Sequence, residues 1–284
     1  MPEIFYLNGR YLPAGEASVS VFDRGLLFAD AIYEVCGVIN GKIIDFAGHM
    51  ARLDRSMQEM SMANPLSHDA ILAVMRRLVA EEGVVEGLVY LQFTRGSFRD
   101  RDFLPNGTET PTVFGFAQMK SAAFRAEIEN GIHMVSAPDI RWGRRDIKTV
   151  GLMGSVFAKM FAKTHGGQEA LLHEDGRVTE GAATSFFIIR SGRLVTRPLS
   201  NAILHFCTRQ ALGALLDENG LTFEERLFSL DEAKSADEAF LTGASTYVRP
   251  VVSIDEARLG DGQPDPLTRK LQRLYVEVVR RTAV

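Results

Sequence analysis

The sequence is poor in cysteine, and it lacks the long apolar runs of membrane proteins. Only two cysteines, Cys36 and Cys207, occur in 284 residues, which excludes a disulfide scaffold and is typical of a reducing compartment. No apolar run approaches the length of a membrane span, and the N-terminus has no basic segment followed by an apolar stretch. We therefore expect a soluble protein of the cytoplasm.

Charge and missing motifs exclude several further classes of function. The net charge is -4 and the pI is 5.9, so neither nucleic acid nor an anionic membrane is an expected partner. The six histidines form no close ligand pair, and neither HExxH nor CxxC occurs, so we expect no metal site. A dinucleotide fingerprint, a P-loop and a GxSxG elbow are also absent.

Lysine is scarce as well, and one of the few lysines has unusual neighbours. The chain has seven lysines against 25 arginines, and Lys148 lies between the stretch WGRRDI and a run of mostly small or apolar residues at 149–155. An ammonium that is removed from water loses its proton more readily, and the free amine is a nucleophile suited to a Schiff base. Pyridoxal phosphate is the best-known cofactor for such chemistry. The alternative is a surface lysine whose stem covers apolar neighbours.

Turn signals and apolar periodicity predict an α+β protein. Hairpin turns are predicted at residues 8–9, 40–41, 175–176 and 191–192. Apolar residues recur at helical spacing over 46–62, 68–82, 152–165, 208–219 and 266–281. Strands are predicted at 32–38, 87–94, 112–118, 132–137, 221–226, 238–243 and 247–254. Because hairpins group the strands, the pattern favours α+β over a doubly wound parallel sheet.

The length and a change in pattern predict two domains. Residues 119–130 are more polar than their surroundings and lack an apolar strand pattern. We therefore predict an N-terminal domain at 1–120, an interdomain linker at 121–131, and a C-terminal domain at 132–284 that carries Lys148.

Several residues are of the kinds that bind a phosphate-bearing cofactor, which needs a fixed cation and a cup of backbone N–H groups. Arg52 on the first long helix is either that cation or a solvated residue on the helix face. Cys207 and Thr208 open a predicted helix, where Thr208 is either a phosphate ligand or an ordinary N-cap. Ala244 and Ser245 lie in a turn of small residues after a predicted strand.

Glu180 is a candidate partner for the ring of pyridoxal phosphate. A carboxylate held against the pyridine nitrogen keeps that nitrogen protonated and the ring electron-withdrawing, which stabilises a carbanion at the substrate's α-carbon. The alternative is a turn glutamate in solvent.

Six stretches in order resemble the sequence blocks of the fold-type IV pyridoxal phosphate enzymes. They are DRGLLFADAIYEV (23–35), HMARL (49–53), DIRWGRRDIKTVGLMGSV (139–156), RVTEGAATSFF (177–187), ILHFCTR (203–209) and FLTGAS (240–245). That family includes D-amino acid, branched-chain amino acid and (R)-amine transaminases and aminodeoxychorismate lyase, and the similarity looks closest to the D-amino acid (D-alanine) type. It implies a smaller N-terminal α/β domain, a larger C-terminal barrel-like domain, and a homodimer with loops that cross between subunits.

The resemblance also implies roles for individual residues. By matching position, Lys148 resembles the Schiff-base lysine that moves the substrate proton, and Glu180 resembles the partner of the ring nitrogen. Tyr33 matches the tyrosine near the substrate carboxylate and the lysine. The residues that match the phosphate site are Arg52, Cys207, Thr208, Ala244 and Ser245.

One loop departs from the D-amino acid pattern. Members of that type have an arginine followed two residues later by a histidine, whereas residues 96–105 read GSFRDRDFLP. An arginine binds a carboxylate through two hydrogen bonds, so we predict Arg99 and Arg101 as substrate-binding residues. The alternative is a solvated loop in which Arg95, Arg99 and Arg101 pair with Asp100 and Asp102.

The expected activity is therefore transfer of an amino group from a D-amino acid to a 2-keto acid by a ping-pong mechanism. The alternatives are transamination of (R)-amines or branched-chain L-amino acids, and elimination of pyruvate from aminodeoxychorismate.

Overall fold

The computed structural model describes residues 2–98, 100–120, 122–205, 207–218, 223–264 and 266–284. Its contacts divide the chain into two compact units. The first unit contains the residues up to Lys120 together with Ile147–Gly151 and Thr282–Val284, and the second contains the rest of the described chain.

The first unit is built on an antiparallel sheet, which has six strands among the described residues. They are β1 (Ile4–Leu7), β2 (Arg10–Pro13), β3 (Ala31–Ile39), β4 (Lys42–Ile43), β5 (Glu86–Ser97) and β6 (Thr110–Met119), in the spatial order β2-β1-β6-β5-β3-β4. The residues at 8–9 and 40–41 all have positive φ, as two-residue hairpin turns require. The two hairpins predicted in this unit are therefore confirmed.

Helices α1 (Arg24–Phe28), α2 (Phe46–Glu59) and α3 (His68–Glu81) complete the first unit. The apolar stripe predicted for α2 is buried in the core of this unit, together with apolar residues of α3 and of the sheet. Ser67 caps α3, since its Oγ accepts a hydrogen bond from the N–H of Ala70 at 3.2 Å. Helix α1 was not predicted, because its five residues are too few to show helical periodicity.

The second unit is built on a mixed sheet, which has nine strands in the part of the chain that the structure describes. They are β7 (Ile132–Pro138), β8 (Glu169–Glu174), β9 (Arg177–Gly181), β10 (Ser185–Arg190), β11 (Arg193–Thr196), β12 (Phe223–Glu225), β13 (Glu238–Gly243), β14 (Tyr247–Ile254) and β15 (Ala257–Arg258). The spatial order is β12-β11-β10-β13-β14-β7-β8-β9, and β15 pairs with β14.

This sheet is curled. Strand β9 lies at one end of the order and β10 near the other, yet only residues 182–184 connect them. The N–H of Gly181 donates to the carbonyl of Thr184 at 2.8 Å, which closes the connection as a tight turn. The two ends of the sheet must therefore approach each other, and this curl is the barrel-like form that the resemblance implies.

The second unit also contains α4 (Ala122–Asn130), α5 (Met153–Thr164), α6 (Cys207–Glu218), α7 (Leu230–Lys234) and α8 (Pro266–Thr282), except for the last residue of α8, which belongs to the first unit. Helix α4 lies in the range 121–131, where we predicted a linker. Glu127 of α4 accepts a hydrogen bond at 2.6 Å from the buried Arg249 of β14, so this segment packs with the second unit instead of linking the two. Gly220, the predicted end of α6, lies outside the described residues.

Residues 147–151 differ from the predicted domain division as well. The sequence places them in the C-terminal domain, whereas their contacts group them with the first unit. The reason is backbone pairing with β3, where Thr149 forms an isolated bridge with Ile32 and the N–H of Val150 donates to the carbonyl of Ala31 at 3.2 Å.

Candidate active site

Lys148 is buried against β3 in the first unit. Its carbonyl accepts a hydrogen bond from the N–H of Tyr33 at 3.1 Å, and its own N–H donates to Oγ of Ser56 at 3.3 Å. The side chain folds back so that Nζ lies 4.2 Å from the centroid of the Tyr33 ring. Lys148 is only 8% exposed, which contradicts the alternative of a surface lysine.

Tyr33 is held in place by a second tyrosine. The ring of Tyr33 stacks on that of Tyr90, with centroids 5.4 Å apart, and Tyr90 donates its hydroxyl proton to Gln92 at 2.7 Å. Burial raises the pKa of Tyr90, so this hydroxyl stays protonated. Sequence reasoning missed Tyr90. The available signal was its position in a strand that pairs with the strand of Tyr33.

Arg52 lies in a buried charge cluster of the first unit. Its Nε and Nη2 donate to the two carboxylate oxygens of Glu34 at 2.8 and 2.7 Å, and Nδ1 of His49 lies 2.7 Å from the same carboxylate. Burial by itself would raise the pKa of Glu34, but the guanidinium of Arg52 lowers it to about 2. The pair fixes the guanidinium in one place, which is what a phosphate-binding cation needs and what a solvated helix arginine lacks.

Glu180 lies in a second buried charge cluster, in the second unit. It is 1% exposed, accepts a hydrogen bond from Nη1 of Arg141 at 2.7 Å, and accepts another from the N–H of Leu204 at 3.1 Å. Arg141 is itself held by Asp139, with an Nη2 to Oδ2 distance of 2.7 Å. Burial raises the pKa of Glu180 to about 7, because Arg141 and the Leu204 amide offset only part of the desolvation. The alternative of a turn glutamate in solvent is therefore contradicted.

Sequence reasoning singled out Glu180 but missed Arg141 and Asp139. Both residues lie in the same block as Lys148, and their spacing of two residues was the available signal.

Four buried hydroxyl groups of the second unit have no hydrogen-bond partner within the described residues. They belong to Thr184, Ser185, Thr208 and Thr242. Ser185 and Thr242 are paired residues of β10 and β13, and Thr208 is the second residue of α6, where the backbone N–H groups also lack helical partners. Buried hydroxyl donors without partners are costly unless an acceptor is bound. A phosphate group offers only acceptors at neutral pH, so it is the kind of group that such donors bind.

The turn that carries Ala244 and Ser245 is next to two of these hydroxyls. It connects β13 and β14, and the N–H of Thr246 donates to the carbonyl of Gly243 at 3.0 Å. A Cβ atom placed on Gly243 would lie 3.6 Å from Cγ2 of Thr184, so the turn and that side chain are in close proximity. Cys207, in contrast, is a buried free cysteine at the start of α6.

The arginines of the 96–105 loop have different environments. Arg95 belongs to β5, and its Nε donates to Asp30 at 2.8 Å instead of pairing with the loop carboxylates. Arg101 stacks on the rings of Phe28 and Phe103, at 4.9 and 5.0 Å from their centroids. Within the described residues, the Arg101 guanidinium has no hydrogen bond or ion pair, so a self-paired loop is not seen for it. Arg99 lies outside the described residues.

A sequence model of the aminotransferase class IV family matches residues 31–254. The chain belongs to the class IV aminotransferases. Among relatives, the D-alanine aminotransferase of Staphylococcus haemolyticus is 34% identical over 267 residues, which are 94% of each chain. The D-alanine aminotransferase of Listeria monocytogenes serotype 4b is 33% identical over 274 residues, which are 96% of this chain and 95% of that one.

Solved structures of class IV aminotransferases have the same fold. The branched-chain amino acid aminotransferase of Escherichia coli superposes with a TM-score of 0.92 at 22% identity, over 98% of this chain and 95% of that one. The holo form of the branched-chain enzyme of Thermobaculum terrenum gives a TM-score of 0.85 at 27% identity, over 98% and 94% of the two chains. The predicted two-domain α+β fold of the fold-type IV enzymes is therefore confirmed.

As a class IV aminotransferase, the protein is an enzyme that depends on pyridoxal phosphate, and its residues fit that cofactor. The buried hydroxyls without partners suit the phosphate group, and the buried carboxylate of Glu180 suits a protonated ring nitrogen. Lys148 supplies a buried amine in a chain with few lysines.

Two features are absent from the described part of the chain. No helix there is both long enough and apolar enough to cross a lipid bilayer. In the same residues, no group of three or more His, Cys, Asp or Glu side chains is arranged to hold a metal ion.

Proposed function

We propose that this class IV aminotransferase transfers the amino group of D-alanine, or of a similar D-amino acid, to a 2-keto acid. The observation that carries the proposal is the identity with D-alanine aminotransferases, which extends over nearly the whole of both chains. The branched-chain enzymes support the fold, and their sequences are less similar to this one. The guanidinium of Arg101, which has no hydrogen bond or ion pair within the described residues, gives the proposal a chemical basis, since it suits an α-carboxylate.

In this proposal, Lys148 would hold the cofactor through Nζ, and the amine that the donor's amino group displaces would then carry the substrate's α-proton. The bound cofactor supplies an electron-withdrawing ring that stabilises the negative charge left at the α-carbon. Tyr33 keeps the amine in position through the contact of 4.2 Å between Nζ and its ring. Glu180 holds a proton at the ring nitrogen, and Arg101 or Arg99 binds the substrate's carboxylate.

The phosphate is held by charge and by neutral donors. Arg52 supplies the cation, and its orientation is fixed by Glu34. The neutral donors are the hydroxyl of Thr208 and the backbone N–H groups of Cys207, Thr208, Ala244 and Ser245. These contacts orient the cofactor so that the same Lys148 amine serves both half-reactions of a ping-pong cycle.

A half-reaction experiment tests the substrate class. The visible absorption band of the purified holoenzyme should bleach when D-alanine is added without a keto acid, and it should return when 2-oxoglutarate follows. L-leucine and (R)-1-phenylethylamine are the comparison donors. Bleaching by L-leucine but not by D-alanine would assign the enzyme to the branched-chain type. Pyruvate released from aminodeoxychorismate without a keto acid acceptor would assign it to the lyases.

We also propose that the enzyme is a homodimer and that the exposed face of α5 contributes to the dimer interface. This face carries large apolar side chains at helical spacing, which are 40–59% exposed in the single chain: Met153, Val156, Phe157, Met160 and Phe161. Monomeric proteins rarely leave such a contiguous apolar face in water.

Negative charges introduced on the exposed face of α5 should dissociate the dimer. The double variant Phe157→Glu, Met160→Glu is expected to sediment as a monomer at micromolar concentration, because carboxylates buried in an apolar interface cost several kcal/mol. Analytical ultracentrifugation compares it with the wild type and with Val85→Glu, which changes an exposed apolar residue elsewhere. A double variant that stays dimeric would place the interface on another surface.

A further inference from the structure

One buried arginine, Arg24, holds the segment 100–104, which includes Arg101. Arg24 is the first residue of α1 and is 7% exposed. Its Nη1 donates to the carbonyl of Asp102 at 2.7 Å, and its Nη2 donates to the carbonyl of Phe103 at 2.8 Å. These two bonds matter because the segment has no regular secondary structure of its own, and the side chain of Phe103 is 72% exposed.

Asp30 fixes Arg24 from the other side. Nε of Arg24 donates to Oδ2 of Asp30 at 2.8 Å, and Nε of Arg95 donates to the same oxygen, also at 2.8 Å. Burial would raise the pKa of Asp30, but the two guanidinium groups lower it overall, so the carboxylate stays ionised. Arg95 is in turn anchored to the carbonyls of Met60 and Ser61. The guanidinium of Arg24 is therefore held rigidly while it binds the segment.

Aromatic contacts connect the anchored segment to the side chain of Arg101. The rings of Phe28 and Phe103 lie 5.2 Å apart, and the guanidinium of Arg101 stacks on both. Phe103 is the residue whose carbonyl accepts from Arg24, and the guanidinium of Arg24 also lies over the Phe28 ring at 5.0 Å. If the carbonyl of Phe103 were released, one of the two rings that orient Arg101 would lose its anchor.

We propose that Arg24 is a positioning residue that sets the orientation of Arg101 and thereby the enzyme's affinity for the substrate's α-carboxylate. The proposal rests on the proposed function and takes Arg101, of the two candidate arginines, as the one that binds that carboxylate. Lysine cannot replace Arg24, because a single ammonium cannot reach one carboxylate oxygen and two carbonyls in the planar geometry of a guanidinium. Arg24→Lys nevertheless keeps the charge that Asp30 requires, so the variant is expected to fold.

Steady-state kinetics of the holoenzyme test the link to substrate binding. Arg24→Lys should raise the KM for D-alanine about tenfold to a hundredfold, as expected when hydrogen bonds from a charged group are lost, and should change kcat little. The double variant Arg24→Lys, Arg101→Lys should be no worse than Arg101→Lys alone, since Arg24 acts through Arg101. Additive effects, or a fall in kcat without a rise in KM, would overturn the proposal. Arg77→Lys, at an exposed arginine, is the matched control.

Limited proteolysis tests the anchoring without any activity measurement. Chymotrypsin should cut the Arg24→Lys holoenzyme after Phe103 at least about ten times faster than the wild type or Arg77→Lys, because cleavage follows the open population of a segment. Unchanged cleavage would overturn the positioning role of Arg24. Faster cleavage with an unchanged KM would instead show that the segment is anchored but that Arg101 does not bind substrate, so failure of the proposed function is distinguishable.

Discussion

Replacement of Lys148 by alanine is expected to abolish transamination, with kcat reduced at least about a thousandfold. Two functions disappear together, namely the covalent bond to the cofactor and the movement of the α-proton on Nζ. The fold should survive, because the hydrogen bonds that the backbone of Lys148 forms with Tyr33 and Ser56 do not involve its side chain. Activity is measured with D-alanine and 2-oxoglutarate, and circular dichroism checks the fold.

One further variant distinguishes loss of the reactive amine from loss of the positive charge, and a second variant is a control. Lys148→Arg keeps a cation near the Tyr33 ring but cannot lose its proton at neutral pH, so it should be as inactive as the alanine variant. Lys270→Ala, at an exposed lysine of α8, should be fully active. Borohydride reduction of the holoenzyme followed by peptide mass spectrometry should find the cofactor on Lys148. A label on any of the other six lysines would refute the assignment.

Local signals predicted most of the elements of the fold but not their arrangement. The turns at 8–9 and 40–41 were readable because a two-residue hairpin needs residues that tolerate positive φ. The order of the second sheet was not readable, because β14 pairs in parallel with β7, more than a hundred residues earlier in the chain. Helix α4 was missed because its sequence is polar, and its place in the fold is shown by tertiary contacts such as that from Arg249 to Glu127.

The candidate site was likewise predictable only in part from the sequence. Lys148, Glu180 and Arg52 could be predicted, because each lies in a short stretch that resembles a family block. Their partners could not be, since the contacts join residues far apart in sequence. Arg141 reaches Glu180 across 39 positions, and Glu34 reaches Arg52 across 18. Burial was also invisible in the sequence, although it decides between a solvated glutamate and one with a strongly raised pKa.

Replacement of Glu180 by glutamine should lower kcat about a hundredfold or more while the cofactor still binds. An amide has nearly the same shape as the carboxylate, but it carries no charge to keep the ring nitrogen protonated. Glu180→Asp restores the charge on a shorter stem and should recover part of the lost activity. Glu256→Gln, at an exposed glutamate, is the matched control. If Glu180→Gln kept full activity, the ring nitrogen would need another partner.

The apoenzyme gives a second and independent test of Glu180, through the pH dependence of stability. Burial raises the pKa of this carboxyl from 4.5 to about 7, so the folded state holds the proton more tightly than the unfolded state does. The protonated carboxyl contributes fully to the free energy of unfolding below pH 4.5. This contribution is lost as the pH rises through about 7, and the loss is on the order of 3 kcal/mol.

Glutamine does not titrate, so the free energy of unfolding of Glu180→Gln should lack this loss. Urea unfolding at pH 5 and pH 8 measures it, and the midpoint of the wild type should fall further between the two values than that of the variant. If the urea midpoint fell equally in the wild type and in Glu180→Gln, the carboxyl of Glu180 would ionise in its ordinary range. Arg141 and the amide of Leu204 would then offset the whole cost of desolvation.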